Sequence, residues 1–187
     1  VARSNIDMGW AGNVWYGVDR WIAAEKLWYK VKSKLEYGKR YIEIKYEKLI
    51  SDPQQTLDNI CQFIGVEYDR KMMTYPNHTS YNYPEKKYID SWKNKLSERE
   101  INFVEYKAMK CMRNRDYPIV SGFSVSPSFL QLLFFKIQNR LYRIHFRIRR
   151  YGFILVMGGF ISRKLRLQSL EKKILNKHNE MTKIYLK

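Results

Sequence analysis

The sequence is poor in cysteine, has no long apolar run and contains no glycine-rich phosphate loop. Two cysteines, Cys61 and Cys111, are too few for a disulfide framework or a cysteine-rich zinc site. Both occupy apolar positions of predicted helices, which favours buried free thiols. The longest apolar run, Phe153 to Ile161, has nine residues, fewer than the roughly 18–20 that a membrane-spanning helix needs. The chain itself therefore offers no phosphate-cradling loop and no spanning segment.

Positive charge is abundant and is concentrated in the last third of the chain. The 187 residues hold 35 Lys and Arg against 18 Asp and Glu, a net charge of +17. Residues 1–120 contain 21 basic and 16 acidic residues, or +5, whereas residues 121–187 contain 14 and 2, or +12. The change falls at a segment rich in turn formers, residues 121–127. We therefore predict two domains, residues 1–122 and a basic helical extension over residues 123–187.

A strand that leads into a capped helix is predicted within residues 40–65. Residues 41–46 alternate apolar and polar side chains, as a half-buried strand does. Asp52 is placed to cap a helix whose first position is Pro53, and Gln55 could complete a capping box. Gly65 predicts the end of that helix.

The other patterns are mainly helical. Residues 13–35 carry apolar side chains at helical spacing, and residues 68–84 form a loop-rich segment. The sequence Ser97-Glu98-Arg99-Glu100 is a capping box that opens a helix to about residue 113. Residues 127–187 predict two or three basic amphipathic helices.

The basic tail has two interpretations. In one, its helices pack on the rest of the protein and leave a solvated basic face. In the other, they form a surface for an anionic membrane or an acidic polymer. Nucleic acid is a less favoured partner, although basic clusters alone do not distinguish one polyanion from another.

Four blocks, in order, resemble the sulfotransferase superfamily, most closely its bacterial members. Residues 40–65 resemble the family's block "YEDL..DP...L..I..FLG", and residues 78–81 resemble "HTSF". Residues 90–96 resemble "GDWKN", and residues 115–122 resemble the ending "RGYE.SG". The resemblance implies the C-terminal part of an α/β fold like that of P-loop nucleotide kinases. We expect residues 41–46 to form one parallel strand in a predominantly helical portion of that fold.

The resemblance also implies a reaction. Sulfotransferases move a sulfuryl group from 3′-phosphoadenosine 5′-phosphosulfate (PAPS) to a hydroxyl or amine, and no metal is expected. The family's phosphate loop and catalytic base precede these blocks, so we expect a fragment that cannot catalyse the transfer unaided. The acceptor could be a glycan, lipid, peptide or small molecule. We expect a cytoplasmic protein, peripheral at the membrane; the alternative is a non-catalytic basic module that binds anionic membrane or another polyanion.

Family positions suggest which residues bind the donor. Tyr46 matches a tyrosine that contacts adenine, and Thr79, Ser80 and Tyr81 match residues that surround it. Tyrosine suits this role because its ring is apolar and its hydroxyl can form a hydrogen bond.

The 3′-phosphate is expected to contact lysines. Cytosolic members carry Arg-Lys-Gly before the tryptophan, whereas this chain has Glu85, Lys86 and Lys87. Lysine offers a point charge and not the bidentate fork of arginine, so recognition of the 3′-phosphate differs in this chain.

Arg3 is a further candidate, in one of two alignments. Val1-Ala2-Arg3 and Asp7 match a phosphate-binding strand "R...D...S", with Ala11 at the serine position. In the alignment we favour, that motif lies upstream, and residues 7–21 are the loop and helix that follow it.

Overall fold

The computed structural model describes residues 1–77, 79, 82–83, 85–122 and 126–185. These residues form ten α-helices: α1 Ala2–Asp7, α2 Val14–Gly17, α3 Asp19–Lys32, α4 Tyr46–Ser51, α5 Pro53–Ile64, α6 Trp92–Lys95, α7 Glu98–Asn114, α8 Phe129–Tyr151, α9 Phe153–Lys164 and α10 Gln168–Tyr185. Two 3₁₀ helices span Arg70–Asn77 and Lys86–Tyr88. Unit 1 consists of residues 1–22 and 96–187, and unit 2 of residues 23–95.

The core of unit 1 forms around the start of the chain. Its buried members are apolar side chains of α1, α2, α7 and the segments beside them: Ala2, Ile6, Ala11, Val14, Val18 and Ala108. Helices α1 and α2 approach closely because Gly17 has no Cβ, and one built there would lie 2.5 Å from the Ala2 carbonyl oxygen. The buried amide of Asn5 donates to the Gly17 carbonyl at 2.6 Å. The two short helices are therefore joined by both packing and a hydrogen bond.

The first tail helix, α8, packs against the N-terminal segment. The Gly12 backbone N–H donates to the side-chain oxygen of Asn139 at 2.8 Å. The Asn13 side-chain amide donates to the Phe135 carbonyl at 2.8 Å. These contacts confirm the interpretation in which the tail packs on other parts of the protein. These contacts do not show where a sulfotransferase-like domain would end, so the boundary at 122/123 stays a prediction.

A buried carboxylate fixes the segment that follows α7. Glu105 is only 2% exposed. It accepts from the backbone N–H groups of Val120 at 2.9 Å and Ser121 at 3.0 Å, and from the Ser121 hydroxyl. Burying a carboxylate is costly unless its oxygens are hydrogen-bonded, so these donors explain how Glu105 is accommodated.

The strand predicted in unit 2 is wrong. Tyr41 forms only an isolated parallel bridge with Tyr37, and residues 42–45 have no regular structure. Tyr46, predicted to end the strand, begins α4. A strand requires a neighbour to satisfy its backbone groups, and the described residues contain no second strand. The kinase-like sheet implied by the resemblance is not seen in this part of the chain.

Side chains of α3 hold the predicted strand segment instead. The indole N–H of Trp28 donates to Glu43 at 2.5 Å, and Lys32 pairs with the other oxygen of Glu43 at 3.3 Å. The rings of Trp28 and Tyr41 meet edge to face, with centroids 5.1 Å apart. The alternating pattern of residues 41–46 thus serves packing against a helix.

The helix predictions are confirmed more closely. Asp52 caps α5 by accepting from the Gln55 N–H at 3.3 Å, and Gly65 ends the helix in the left-handed region, with φ of 78°. The capping box expected from Gln55 does not form, because the Asp52 backbone N–H that it would need donates to the Lys48 carbonyl at 2.9 Å. The capping box at the start of α7 is present. Residues 13–35 contain α2 and α3, and the tail contains three helices.

Candidate functional site

The adenine-binding candidates that the structure describes lie at the surface of unit 2. Tyr46 is 53% exposed at the first position of α4. Thr79 is also exposed, and its hydroxyl donates to the Tyr75 carbonyl at 3.0 Å. Ser80 and Tyr81 lie outside the described residues. The grouping of these side chains around one adenine stays a prediction.

The two candidate lysines differ in their partners. Lys87 forms an ion pair with Glu85, and this hydrogen bond raises the pKa of Lys87. Lys86 is exposed and forms no ion pair with any residue that the structure describes. Glu85, which stands where the family has arginine, thus engages Lys87. Lys86 is the better candidate for a phosphate contact.

The tryptophan after these lysines is held by its own neighbours. Asp90 accepts from the Trp92 indole N–H at 3.3 Å and pairs with Lys93 at 2.6 Å. The hydrogen bond from Lys93 lowers the pKa of Asp90. Lys93, the residue after this tryptophan, is therefore already paired with a carboxylate.

Arg3 belongs to unit 1 and lies on a helix. Its guanidinium pairs with Asp7 one turn along α1, at 3.2 Å. The strand expected in that alignment does not form, because residues 2–7 are helical, and Arg3 as a phosphate contact stays a prediction. The favoured alignment, with a loop and helix over residues 7–21, agrees with α2 and the start of α3.

Unit 1 contains a pocket that the sequence analysis did not identify. It has a volume of about 410 Å³ and is lined by residues 8–10, Arg20 and the three tail helices. Five arginines line it: Arg20, Arg143, Arg147, Arg150 and Arg163. Glu171 is the one acidic residue of the lining. We call this site the arginine pocket.

Glycines allow the walls of the arginine pocket to approach one another. Gly9 has φ of +72°, and a Cβ built there would lie 2.1 Å from the ring of Phe146 on α8. Between α9 and α10, Ile174 lies 3.1 Å from the position of a Cβ on Gly158. Side chains of the facing helices thus contact the backbone closely at these two glycines.

One histidine lies at the α10 wall of the pocket. Its ring packs on Tyr151 of α8, with centroids 3.9 Å apart. Burial, and then the positive charges of Arg147 and Arg150, lower the pKa of His178 below its ordinary value of 6.5. His178 is therefore mainly neutral at neutral pH and can both donate and accept a hydrogen bond.

A signal for the pocket was present in the sequence. Arg143, Arg147 and Arg150 recur at spacings of four and three, which places them on one face of a helix. The spacing could not show that this face lines a pocket together with Trp10 and Arg20. The Arg20 guanidinium lies 4.1 Å from the centroid of the Trp10 ring. Trp10 and Arg20 precede α8 by more than a hundred positions, so the sequence pattern does not link them to it.

Comparison with protein families matches residues 4–70 to the sulfotransferase family. This match confirms the predicted resemblance to the sulfotransferase superfamily and covers about a third of the chain. No curated protein matches the chain. No solved structure matches it either.

Proposed function

We propose that this protein takes part in sulfuryl transfer from PAPS to a hydroxyl or amine acceptor. The observation that carries the proposal is the sulfotransferase-family match over residues 4–70. This segment includes Tyr46 and the capped helix α5, which resemble the family's strand-to-helix block. The capping of α5 by Asp52 and Gly65 supports the local part of that resemblance.

The proposed contribution of unit 2 is to grip the nucleotide part of the donor. Sulfuryl transfer, like phosphoryl transfer, is an in-line displacement in which the protein mainly positions the groups and stabilises negative charge. Tyr46, Thr79 and Tyr81 would contact adenine, and Lys86 would contact the 3′-phosphate. Lys87 would be the weaker of the two lysines, because Glu85 competes for its charge.

Calorimetric titration of the full-length protein with adenosine 3′,5′-bisphosphate tests this proposal. We expect Lys86→Ala to weaken binding by about tenfold, the effect of losing one charge-assisted hydrogen bond. Lys34→Ala is the matched control, because Lys34 is another exposed lysine of unit 2. Equal losses of affinity in the two variants would show that Lys86 does not contact the nucleotide. Absence of binding by the unaltered protein would contradict the donor itself.

A second candidate function is attachment of the tail to an anionic membrane. The tail exposes large apolar side chains beside its arginines, including Leu141 at 61%, Phe153 at 60% and Ile154 at 86%. Such a combination favours an interface with acidic lipid. None of the described helices is both long enough and apolar enough to span a membrane.

Flotation with phosphatidylserine-containing vesicles tests the membrane candidate. Binding should weaken as salt rises, because screening reduces attraction to the lipid. Ile154→Gln should also weaken it, whereas Ile64→Gln should not; Ile64 is a comparably exposed isoleucine of unit 2, at 60%. Binding that is unaffected by both salt and Ile154→Gln would contradict this candidate.

A further inference from the structure

The arginine pocket gathers positive charge in a partly open cleft. Its five guanidinium groups face a single carboxylate, that of Glu171. Among the described residues, neither Arg143 nor Arg147 forms a salt bridge. Several cations held close together without matching acids repel one another, and an anion bound among them would relieve that repulsion.

The geometry of the cationic groups suits a particular kind of anion. Arginine presents a planar fork of donors that matches the oxygens of phosphate and sulfate, commonly in pairs. Arg147 and Arg150 come from consecutive turns of α8, and Arg163 comes from α9. Arg163 is itself oriented by donating to the Gly159 carbonyl at 2.9 Å. The lining thus brings arginine donors from two helices to one pocket.

The lining also contains several apolar side chains, which suit an organic group of the ligand. Phe146 of α8, Leu155 and Val156 of α9, and Ile174 of α10 all contribute to the walls. A volume of about 410 Å³ lies in the range typical of small-molecule sites and exceeds what one inorganic ion would fill. A ligand that combines an oxyanion with an apolar group would use both parts of the lining.

We propose that the arginine pocket binds a phosphate or sulfate ester whose organic part is apolar. The ester oxygens contact arginines of α8 and α9, and the organic part packs against Phe146 and the aliphatic side chains. The same chemistry occurs in a soluble aryl or alkyl ester and in a membrane phospholipid. This proposal does not rest on the sulfuryl-transfer function: it is argued from the pocket lining of unit 1, which contains none of the donor candidates Tyr46, Thr79 and Lys86.

His178 provides an internal reporter of occupancy. The charged and titratable groups that line the pocket with it are Arg20, Arg143, Arg147, Arg150, Tyr151, Arg163 and Glu171. An anion placed among the arginines would offset the charges that disfavour the imidazolium ion. Binding should therefore raise the pKa of His178, which NMR titration of the imidazole signals can follow in the unaltered protein.

The experiment compares two double variants of α8 with equal changes in charge. Arg147→Gln with Arg150→Gln removes two pocket arginines. Arg140→Gln with Arg149→Gln removes two exposed arginines of the same helix that do not line the pocket. Phenyl phosphate and phenyl sulfate are the soluble probes, measured by calorimetry. Phosphatidylcholine vesicles with and without phosphatidic acid are the membrane probe, measured by flotation.

We expect the pocket double variant to lose at least about 20-fold in affinity and the control less than about threefold. Binding of phenyl phosphate or phenyl sulfate with this difference supports the proposal and identifies a soluble ester. Binding only to phosphatidic acid vesicles, again with this difference, supports it and identifies a lipid. Equal losses in the two double variants would show general attraction to the basic tail and overturn the proposal. Binding of no probe, with the pKa of His178 unchanged, would overturn it as well.

Discussion

Units 1 and 2 hold their candidate functional groups in different ways. In unit 1, Gly12 and Asn13 bond to α8 across more than 120 positions of sequence, and the arginine pocket lies among elements from both ends of the chain. In unit 2, the donor candidates that the structure describes are exposed, and Thr79 and Lys87 bond to the nearby Tyr75 and Glu85. Local motifs therefore suggested the candidates of unit 2, whereas only the folded chain brings together those of unit 1.

The two units also differ in how closely other side chains pack against their positive-φ glycines. Gly9 in unit 1 and Gly38 in unit 2 both have positive φ, +72° and +79°. A Cβ on Gly9 would overlap the ring of Phe146, whereas a Cβ on Gly38 would meet nothing within 4 Å. Substituting each of these two glycines therefore distinguishes the destabilisation caused by a positive φ from that caused by steric crowding.

We expect Gly9→Ala to lower the free energy of unfolding by about 3 kcal/mol, because overpacking adds to the strain of the left-handed conformation. Gly38→Ala should cost only about 1 kcal/mol, from the conformation alone. Urea denaturation of both variants measures the difference. If the two substitutions cost the same, the N-terminal segment is not packed against α8 as described.

The helix caps offer a second, smaller contrast. Asn13 in unit 1 caps α2 through the Tyr16 N–H at 3.1 Å and also donates to the Phe135 carbonyl of α8. Asp52 in unit 2 caps α5 by accepting from the Gln55 N–H at 3.3 Å. One side chain thus joins distant elements, while the other serves its own helix.

Asn13→Ala should lower the free energy of unfolding by about 2 kcal/mol, since it removes a cap and the bonds from the Asn13 amide to the Phe135 carbonyl and the Gln138 side chain of α8. Asp52→Ala should cost about 1 kcal/mol, the typical loss of a cap. Chemical denaturation gives both values. A larger loss from Asp52→Ala would reverse the contrast between the two units.

Helix boundaries were predictable because their causes are local. Asp52, Pro53 and Gly65 set the limits of α5, and Ser97 with Glu100 starts α7. Each of these caps and stop signals depends only on residues a few positions apart, so the sequence alone is enough to identify it.

The strand predicted over residues 41–46 was wrong for the opposite reason: its cause is not local. Their alternation is compatible with a strand, but strand formation depends on a partner that the pattern cannot specify. The described chain provides α3 as the partner, through Trp28 and Lys32. The arginine pocket was missed on similar grounds, because periodicity identifies the face of α8 but not the Trp10 segment that covers it.

The smallest predicted effect concerns pH and is specific to the pocket of unit 1. Burial and the arginines of α8 hold the pKa of His178 below the ordinary 6.5, so the unfolded chain binds a proton more readily than the folded one. The free energy of unfolding should therefore be highest above about pH 6.5 and decrease as pH falls from 6.5 towards the lower, folded pKa. His178→Phe preserves a ring against Tyr151 but cannot be protonated. Its unfolding free energy should depend less on pH between 7.5 and about 5.

Urea denaturation at several pH values measures this difference, with all other titrating groups common to both proteins. Arg147→Gln is a useful intermediate, because it removes one of the two charges that lower the pKa of His178 but leaves its burial, the larger cause. We expect this variant to reduce the pH dependence only in part. If His178→Phe and the unaltered protein lose stability in parallel as pH falls, the histidine is not held in the desolvated, cationic surroundings described for the arginine pocket.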